Sequence, residues 1–245
     1  MKVLGIDIGG SAIKGAPVDT TTGRLLAERL RIATPKPLTP LMTSRVVAQI
    51  TEHFKWRGPI GVGFPGVVRA GFTLTSANMH PRFIGLDARK LFARTTRCRV
   101  AVVNDADAAG LAEMRFGAGR RKQGTVLLLT LGTGVGSALF WGGELFPNTE
   151  LGHLPIKGRS AERYISSAAR KRRDISWEKW GLELGSYIRS LERILWPELI
   201  IIGGGVSSKS DKFFKYVKPR APLVTARFHN EAGIVGAALW GGLQK

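Results

Sequence analysis

The segment VLGIDIGGSAIKG, residues 3–15, decides how the fold is predicted from this sequence. An apolar run reaches the carboxylate of Asp7, passes two glycines and a serine at 9–11, and resumes as a second apolar run that contains Lys14. This pattern predicts two β-strands joined by a tight glycine turn. The backbone N–H groups of such a turn can bind an anion, because glycine allows close approach and positive φ.

The same pattern recurs at 125–146, TVLLLTLGTGVGSALFWGGELF, about half the chain further on. Alternating helices and strands follow each copy. A glycine turn taken alone is better explained by a plain hairpin, but two turns at matching places favour anion binding. The repeat predicts a duplicated α/β architecture with a cleft between the halves, where two facing turns would hold a phosphoryl donor.

Hydrophobic spacing and turn residues predict the remaining elements. Strands with their turns are expected at 3–8, 12–18, 25–32, 60–66, 99–106, 125–146 and 199–207, and helices at 40–54, 105–119, 162–172, 176–195 and 230–243. We expect an N-terminal α/β lobe over 1–108 and a C-terminal α/β lobe over 109–230. A final helix at about 231–245 is expected to pack back on the first lobe.

The charge of the chain is unusual. Its 37 Lys and Arg residues and 18 Asp and Glu residues give a formal net charge of +19, well beyond the magnitude of about 2–8 that suits a small domain. Self-repulsion of this size favours a polyanionic partner: nucleic acid, an anionic membrane surface or inorganic polyphosphate. The alternative is a generally basic surface with no dedicated ligand. The basic runs are GRRK at 119–122, RKRR at 170–173, and four lysines spaced by three at 209–218.

Cys98 is the single cysteine, so an internal disulfide and a cysteine-cluster zinc site are excluded. Apolar runs such as LIIIGGGV are too short to span a bilayer, and nothing resembles a signal peptide. We therefore expect a cytoplasmic protein.

Several phosphate-binding motifs are missing. The dipeptide Gly-Lys does not occur, which excludes a P-loop, and neither HRD nor DFG is present, which excludes a protein kinase. GTGVG at 132–136 has the wrong spacing for a dinucleotide fingerprint and precedes a predicted strand. Binding by the backbone of tight turns remains.

A few polar residues stand where they could take part in chemistry. Asp105 in VVNDADAAG follows a predicted buried strand, where α/β sheets bind ligands, and can accept a proton from an attacking hydroxyl. Asp105 could instead cap the following helix, but Asp107 suits the first helical turn better. TELGHLP places Glu150 and His153 around a glycine, and SANMHP offers the amide of Asn78. Together such side chains can hydrogen-bond a polyhydroxylated ligand.

These segments together resemble the sugar kinases of the repressor–open reading frame–kinase (ROK) family. GIDIGGSAIKG and LTLGTGVGSAL are similar to its two phosphate motifs, IIIGGGVS to its nucleotide-side glycine motif, NDADAAGLAE to its catalytic segment, and ELGH to its sugar-binding segment. The resemblance covers nearly the whole chain. It implies a duplicated ribonuclease H-like (actin/hexokinase-like) fold, with sugar bound between two lobes.

The resemblance also implies roles for individual residues. Asp105 would be the general base that deprotonates the 6-hydroxyl of a hexose, and Asp7 would position Mg²⁺ directly or through water. The implied sugar-binding residues are Asn78, Asn104, Asp105, Glu150, His153 and Glu162. The implied phosphate-binding residues are Gly9, Gly10, Ser11, Lys14, Thr133, Gly134, Gly204 and Gly205.

The departures from the family pattern are informative. Many members carry a cysteine-rich zinc motif after the ELGH segment, whereas LPIKGRSAERYIS contains no cysteine, so no zinc site is expected. The loop before Glu162 is shortened. Regulators of the family have an N-terminal helix-turn-helix, but the first predicted strand begins at Val3, so no DNA-reading domain is expected.

The zinc-free sequence most resembles the polyphosphate-dependent members of the family. This implies transfer of a phosphoryl group from inorganic polyphosphate, and from ATP as a second donor, to glucose; mannose presents the same 6-hydroxyl. An ATP-only hexokinase and a non-catalytic sugar-sensing or nucleic-acid-binding regulator are the alternatives. The family also implies a homodimer, with no specific nucleic acid or membrane as partner.

Overall fold

The computed structural model describes residues 1–76, 79–156 and 158–243. The chain folds into two compact units, one made of Met1–Ala112 with Glu231–Lys245 and the other of Glu113–Asn230. Both units contain a mixed β-sheet and helices, so the predicted α/β class is confirmed.

The strands and helices have the following bounds. The strands are β1 (Lys2–Ile8), β2 (Ala12–Asp19), β3 (Arg24–Leu25), β4 (Leu30–Ala33), β5 (Ile60–Phe64), β6 (Val68–Arg69), β7 (Phe72–Thr73), β8 (Leu86–Asp87), β9 (Val100–Asn104), β10 (Val126–Leu131), β11 (Val135–Trp141), β12 (Glu144–Phe146), β13 (Pro155–Ile156), β14 (Arg159–Ser160), β15 (Leu199–Gly203) and β16 (Leu223–Thr225). The helices are α1 (Pro40–His53), α2 (Ala88–Thr96), α3 (Asp105–Phe116), α4 (Glu162–Ile165), α5 (Ser167–Arg172), α6 (Trp177–Leu195) and α7 (Ala232–Leu243). None of these described helices is long and apolar enough to cross a membrane.

The main sheet of the first unit has the order β3-β2-β1-β5-β9, and β4 also pairs with β2. β1 runs antiparallel to β2 and parallel to β5, and β5 runs parallel to β9. Every residue of β5 and β9 is buried, which explains their continuous apolar sequences. Leu4, Ile6 and Val62 belong to the core cluster that includes α1 and α2.

The opposite face of this sheet is built for close approach of α7. Gly5 and Gly61 alternate with the core residues of their strands. A Cβ at Gly5 would overlap the carbonyl oxygen of Ile234, and one at Gly61 would overlap that of Ala237. A Cβ at Gly236 would likewise overlap the carbonyl oxygen of Ala108. The glycines of GIDIGG, IGVGF and AGIVG therefore bring α7 against the backbone of β1, β5 and α3.

The main sheet of the second unit repeats this arrangement. Its order is β12-β11-β10-β15-β16, with β10 antiparallel to β11 and parallel to β15, which is parallel to β16. The sense of every pairing matches that of β3-β2-β1-β5-β9. Trp180, Leu184 and Ile188 of α6 pack against apolar residues of this sheet. The repeat predicted from the glycine turns is thus present in the strand order.

The structure differs from the sequence-based elements in several places. The predicted strand at 25–32 is two strands, β3 and β4. The predicted helix at 162–172 is two helices, because Ser166 has an extended ψ of 154° and its side chain caps α5 through the N–H of Ala169. The sequence analysis missed α2, which Asp87 caps by accepting from the N–H of Lys90 at 2.9 Å. The lysines at 209–218 are not on an α-helix; 3₁₀ segments span Gly205–Lys212 and Phe214–Tyr216.

Replacement of Gly236 by alanine should destabilise the protein severely, because the new Cβ overlaps the backbone of α3. We expect a loss of about 3 kcal/mol or more in the free energy of unfolding, as for strong overpacking, measured by urea denaturation. Gly242→Ala in the same helix is the matched control, since its Cβ would meet the end of the flexible Met1 side chain at 3.3 Å and would otherwise make ordinary contacts, with Val3 at 3.6 Å and Thr20 at 3.8 Å. Equal stability of the two variants would contradict the close packing of α7.

Candidate active site

The carboxyl ends of β1, β5 and β9 form one edge of the first sheet, and two candidate acidic residues lie there. In the parallel register Asp7 pairs with Gly63, and Phe64 pairs with Asn104. Asp105 follows directly as the first residue of α3. The Cα of Asp105 lies 3.7 Å from the position that a Cβ of Gly63 would occupy. Topology therefore brings Asp7 and Asp105 to the same sheet edge, where ligands of α/β sheets bind.

Asp7 is largely buried and has one charged neighbour. Lys14, its cross-strand partner in the β1–β2 pair, places Nζ 3.7 Å from Asp7 Oδ2. Burial raises the pKa of the Asp7 carboxyl above its ordinary value, and the Lys14 ammonium opposes this shift. A Cβ at Gly233 would lie 2.8–3.2 Å from the carboxylate, so the glycine leaves space beside it. The sequence analysis missed Gly233 because its only signal is this contact across more than two hundred residues.

The first glycine turn connects β1 to β2, and Thr34 hydrogen-bonds to two of its carbonyl groups. The N–H of Gly9 donates to the carbonyl of Ala12 at 3.1 Å. The hydroxyl of Thr34 donates to the carbonyl of Gly9 at 2.6 Å, and the Thr34 N–H donates to that of Ser11 at 3.2 Å. Gly10 is exposed, and a Cβ built on it would have no atom within 4 Å. The turn is thus fixed by Thr34, which the sequence analysis missed, and is open beside Gly10.

Asn104 caps the helix that begins with Asp105. Its Oδ1 accepts from the N–H groups of Ala106 at 2.8 Å and Asp107 at 3.0 Å, and its Nδ2 donates to the carbonyl of Gly66 at 3.1 Å. Asn104 is therefore the N-cap, and Asp105 stands in the first turn, where the helix dipole favours a carboxylate. Asp105 Oδ1 accepts from the N–H of Ala106 at 2.9 Å. Asp107, also in the first turn, is buried.

In the second unit, two glycine segments meet at the carboxyl ends of β10 and β15. Thr130 pairs with Gly203, and a Cβ at Gly204 would lie 2.7 Å from the backbone N and O of Leu131. The turn after Leu131 carries Thr133 and Gly134, and the N–H of Gly132 donates to the carbonyl of Gly134 at 3.0 Å. Thr133 and Gly205 are exposed. The second phosphate motif therefore lies beside the third glycine motif.

Fewer of these glycines have a positive φ than the sequence analysis assumed. Gly204 has a φ of +78°, but Gly9, Gly10, Gly134 and Gly205 are not among the described glycines with positive φ. A Cβ at Gly10 or Gly205 would point into open space. The advantage of glycine at these positions is therefore that the backbone N–H stays accessible to a ligand.

Glu150, His153 and Glu162 cluster near the same turn of the second unit. His153 Nε2 lies 3.5 Å from Glu150 Oε2. Glu162 Oε2 accepts from the N–H of Val135 at 3.4 Å and would lie 2.5 Å from a Cβ of Gly134. Burial raises the pKa of Glu150, the nearby Glu162 raises it further, and His153 opposes the shift. Carboxylates and an imidazole are thus placed together, an arrangement that can hydrogen-bond several hydroxyls.

The loop that carries Glu150 and His153 is anchored to its sheet. Ser137 Oγ donates to the carbonyl of Thr149 at 2.6 Å and accepts from the N–H of Leu151 at 3.1 Å. Tyr187 of α6 donates its hydroxyl to the Leu151 carbonyl at 2.8 Å. A Cβ at Gly152 would overlap the carbonyl oxygen of Val135. The glycine of ELGH therefore permits the loop to lie against β11.

Two of the sequence-based candidates are not part of the site described above. Asn78 lies outside the described residues. The RKRR run at 170–173 is largely engaged within the second unit: Arg170 lies 4.0 Å from the ring centroid of Trp177 and donates to the Ile175 carbonyl, and Arg173 binds both carboxylate oxygens of Glu183 at 2.6 and 2.8 Å. These arginines pack α5 against α6.

Metal ligation by protein side chains is limited here. Among residues 1–76, 79–156 and 158–243, no group of three or more His, Cys, Asp and Glu side chains could hold a metal ion. A Mg²⁺ ion needs fewer protein ligands, because it keeps water and binds phosphate oxygens beside one or two carboxylates. The Asp7 carboxylate, with the space left by Gly233, fits this requirement.

Comparison with known proteins gives consistent matches. The model of the ROK family matches residues 3–164. The polyphosphate glucokinase of Mycobacterium tuberculosis is 46% identical over 237 residues, which cover 96% of this chain and 89% of that protein. The inorganic polyphosphate/ATP-glucomannokinase from Arthrobacter has a TM-score of 0.96 and 44% identity, with 100% of this chain and 99% of that chain covered. A ROK family glucokinase from Streptomyces griseus, in complex with glucose and AMPPNP, has a TM-score of 0.83 and 24% identity, with 97% of this chain and 98% of that chain covered.

Glu150→Gln should stabilise the protein increasingly as pH rises. The folded state raises the pKa of Glu150 above 4.5, so wild-type stability falls as pH rises from that value to the raised pKa, because the unfolded chain releases this proton before the folded protein does. The variant does not lose this stability, because glutamine does not ionise. Because the side chain is 31% exposed, we expect a gain below about 1 kcal/mol near pH 7 and none near pH 4, measured by urea denaturation. Glu144→Gln, at an exposed position of β12, is the control; an equal gain in both variants would contradict this assignment.

Proposed function

The chain belongs to the ROK family, and on this premise we propose that it phosphorylates the 6-hydroxyl of glucose with inorganic polyphosphate, ATP serving as a second donor. The relatives that share close to half of its residues are named for this activity, and they match over nearly its whole length. The formal net charge of +19 supports a polyanionic donor. Mannose is a second acceptor of the same kind, since the Arthrobacter relative is named a glucomannokinase.

The position of Asp105 carries the mechanistic proposal. It follows a buried strand, stands at the sheet edge that also holds Asp7 and the turn at 9–11, and is released from capping by Asn104. Asp105 accepts the proton of the glucose 6-hydroxyl while that oxygen attacks the terminal phosphorus in line. The bond from phosphorus to the bridging oxygen breaks, and the shortened polyphosphate or ADP leaves with the electron pair.

Backbone N–H groups and the Lys14 ammonium would balance the charge of the transferred group. We assign the donor's phosphates to Gly9, Gly10, Ser11 and Lys14 of the first unit, and to Thr133, Gly134, Gly204 and Gly205 of the second. Open N–H groups in fixed turns need no reorganisation when charge develops, which makes them effective in the transition state. Asp7 would hold Mg²⁺ directly or through water, and the ion, when bound, neutralises phosphate charge.

The sugar would be oriented by hydrogen bonds to its other hydroxyls. We assign these to Glu150, His153 and Glu162, and keep Asn78 from the sequence-based set. Asn104 stays a predicted sugar contact, and we also assign it a positioning role, because its carboxamide caps α3 and bonds the Gly66 carbonyl. Orientation of this kind accounts for a large part of the rate gain in transfer reactions.

The fold proposed for the whole chain is the duplicated ribonuclease H-like, or actin/hexokinase-like, fold with two lobes. The matching strand order of the two main sheets supports it, as does the likeness to the Streptomyces griseus glucokinase. The lobe boundaries, the homodimer, the cytoplasmic location and the absence of a zinc site stay predictions.

Simple measurements distinguish two alternative functions from the proposed one. An ATP-only hexokinase would give no rate with polyphosphate, whereas we expect glucose 6-phosphate from both donors when initial rates are compared at equal phosphate concentration. A nucleic-acid-binding regulator would show sequence preference in a gel-shift assay that competing polyphosphate does not abolish. The basic surface alone explains weak binding without such preference.

Asp105→Asn should abolish turnover while glucose binding largely survives, because the amide cannot accept the proton. We expect a fall in kcat of at least about 10²–10⁴-fold, the range of general-base catalysis, and a dissociation constant for glucose close to wild type by calorimetry. Asp107→Asn, two residues along the same helix, should retain turnover. Near-normal turnover of Asp105→Asn would refute the role of this carboxylate.

A further inference from the structure

Four exposed lysines follow the third glycine motif of the second unit. Lys209, Lys212, Lys215 and Lys218, called here the lysine row, recur every third residue. Lys209 and Lys212 lie in the first 3₁₀ segment, Lys215 lies in the second, and Lys218 follows it after an extended residue. Kinks at Lys209 and Phe213 interrupt the regular geometry. The row begins beside the glycines to which a donor phosphate is assigned.

The lysine row ends at a cleft against α6. This cleft has a volume of about 420 Å³ and is lined by Leu182, Arg189, Lys215, Tyr216 and Lys218. No carboxylate is among these lining residues. The Lys215 ammonium lies 5.0 Å from the ring centroid of Tyr216, whose phenol adds a hydrogen-bond donor. Three cations around one recess suit a flexible chain of phosphates.

Two glycines of α6 lie against the segment that carries Lys215. A Cβ at Gly181 would lie 2.9 Å from Tyr216 Cβ and 3.0 Å from the Phe213 carbonyl. A Cβ at Gly185 would lie 3.2 Å from an Arg189 guanidinium nitrogen and 3.4 Å from the Tyr216 carbonyl. The spacing of four residues puts both glycines on one helix face. The segment with Lys215 therefore lies directly on α6, and Arg189 lies beside it.

Two carboxylates of α6, those of Glu183 and Glu192, are engaged away from the lysine row. Glu192 is buried, and its Oε1 accepts from the N–H groups of Arg220 and Ala221 at 2.8 Å each. Glu183 forms a salt bridge with Arg173. Asp211 is the only acidic residue within the sequence of the row, 209–218. In the part of the chain that the structure describes, neither the four lysines nor Arg189 forms a salt bridge, so their charge remains available to an anion.

We propose that the lysine row and the cleft of Arg189, Lys215 and Lys218 bind the polyphosphate chain beyond its reacting end. This inference rests on the proposed function and adds the location of the binding track. The RKRR run at 170–173 is unsuited, because Arg170 and Arg173 are engaged in packing. In the GRRK run at 119–122 the three basic residues are exposed, and none of them lines this cleft.

The test removes three charges from the cleft. The variant Arg189→Gln/Lys215→Gln/Lys218→Gln is compared with Arg120→Gln/Arg121→Gln/Lys122→Gln, which loses the same charge from the exposed turn of the same unit. Binding of sodium polyphosphate of one defined long chain length, and of tripolyphosphate, is measured by calorimetry at two salt concentrations. Rates with each donor are measured in parallel, and thermal unfolding checks that both variants are folded.

We expect the cleft variant to bind long polyphosphate about tenfold or more weakly, with a smaller salt dependence because fewer counterions are released. Its binding of tripolyphosphate and its rate with ATP should stay close to wild type, since three phosphates held at the glycine motifs leave no further chain to extend along the lysine row. The control variant should bind long polyphosphate nearly as the wild type does. Equal weakening in both variants, equal loss for tripolyphosphate, or no weakening in the cleft variant would overturn the inference.

Failure of the proposed function gives a different result. A wild-type protein that binds long polyphosphate through the cleft, yet transfers no phosphoryl group from it, would refute the proposed donor and support the cleft as a binding site. A wild-type protein that uses polyphosphate, with unchanged binding in the cleft variant, would support the function and refute the track.

Discussion

The parallel register of β1, β5 and β9 is the constraint on which the proposed chemistry depends. It fixes Asp7, Gly63 and Asn104 at one edge of the sheet, so Asp105 can only begin α3 there. Neighbouring strands are about 4.8 Å apart, which places the backbones of Asp7 and Asp105 about 10 Å from each other. This separation leaves room for a sugar hydroxyl and a phosphoryl group. A shift of register by one residue would turn the Asp7 side chain to the opposite face.

The second unit also places its candidate residues at the ends of paired strands. Its sheet repeats the pairing senses of the first, and its glycine motifs meet where β10 and β15 end. Small residues are required at these edges for two distinct reasons: Gly134 and Gly152 allow a side chain or a loop to approach, whereas Gly205 leaves the backbone open. The cluster of Glu150, His153 and Glu162 depends on the first kind. The proposed phosphate contacts include both kinds, since Gly134 belongs to the first and Gly205 to the second.

Much of the fold follows from local sequence, because the strands are continuous apolar runs that end in glycine turns. α1 starts at the predicted residue 40, after its Thr39 cap, and α6 starts one residue after the predicted 176, because Ser176 is its cap. The candidate site was less accessible to sequence reasoning. Thr34 acts on a turn more than twenty residues away, Gly233 contacts Asp7 only through the tertiary fold, and Asn104 takes the capping position that its neighbours also suited. Charge spacing likewise did not reveal that Arg170 and Arg173 are packed while the lysines at 209–218 are exposed.

The central claim is that Asp105 faces the attacking hydroxyl while the first glycine turn holds the phosphoryl end of the donor. A crystal structure with glucose and tripolyphosphate tests it most directly. We expect the glucose 6-oxygen within hydrogen-bonding distance of an Asp105 carboxylate oxygen, and a terminal phosphate on the N–H groups of Gly10 and Ser11. Glucose bound with its 6-hydroxyl directed away from Asp105, or a phosphate chain that avoids this turn, would contradict the claim.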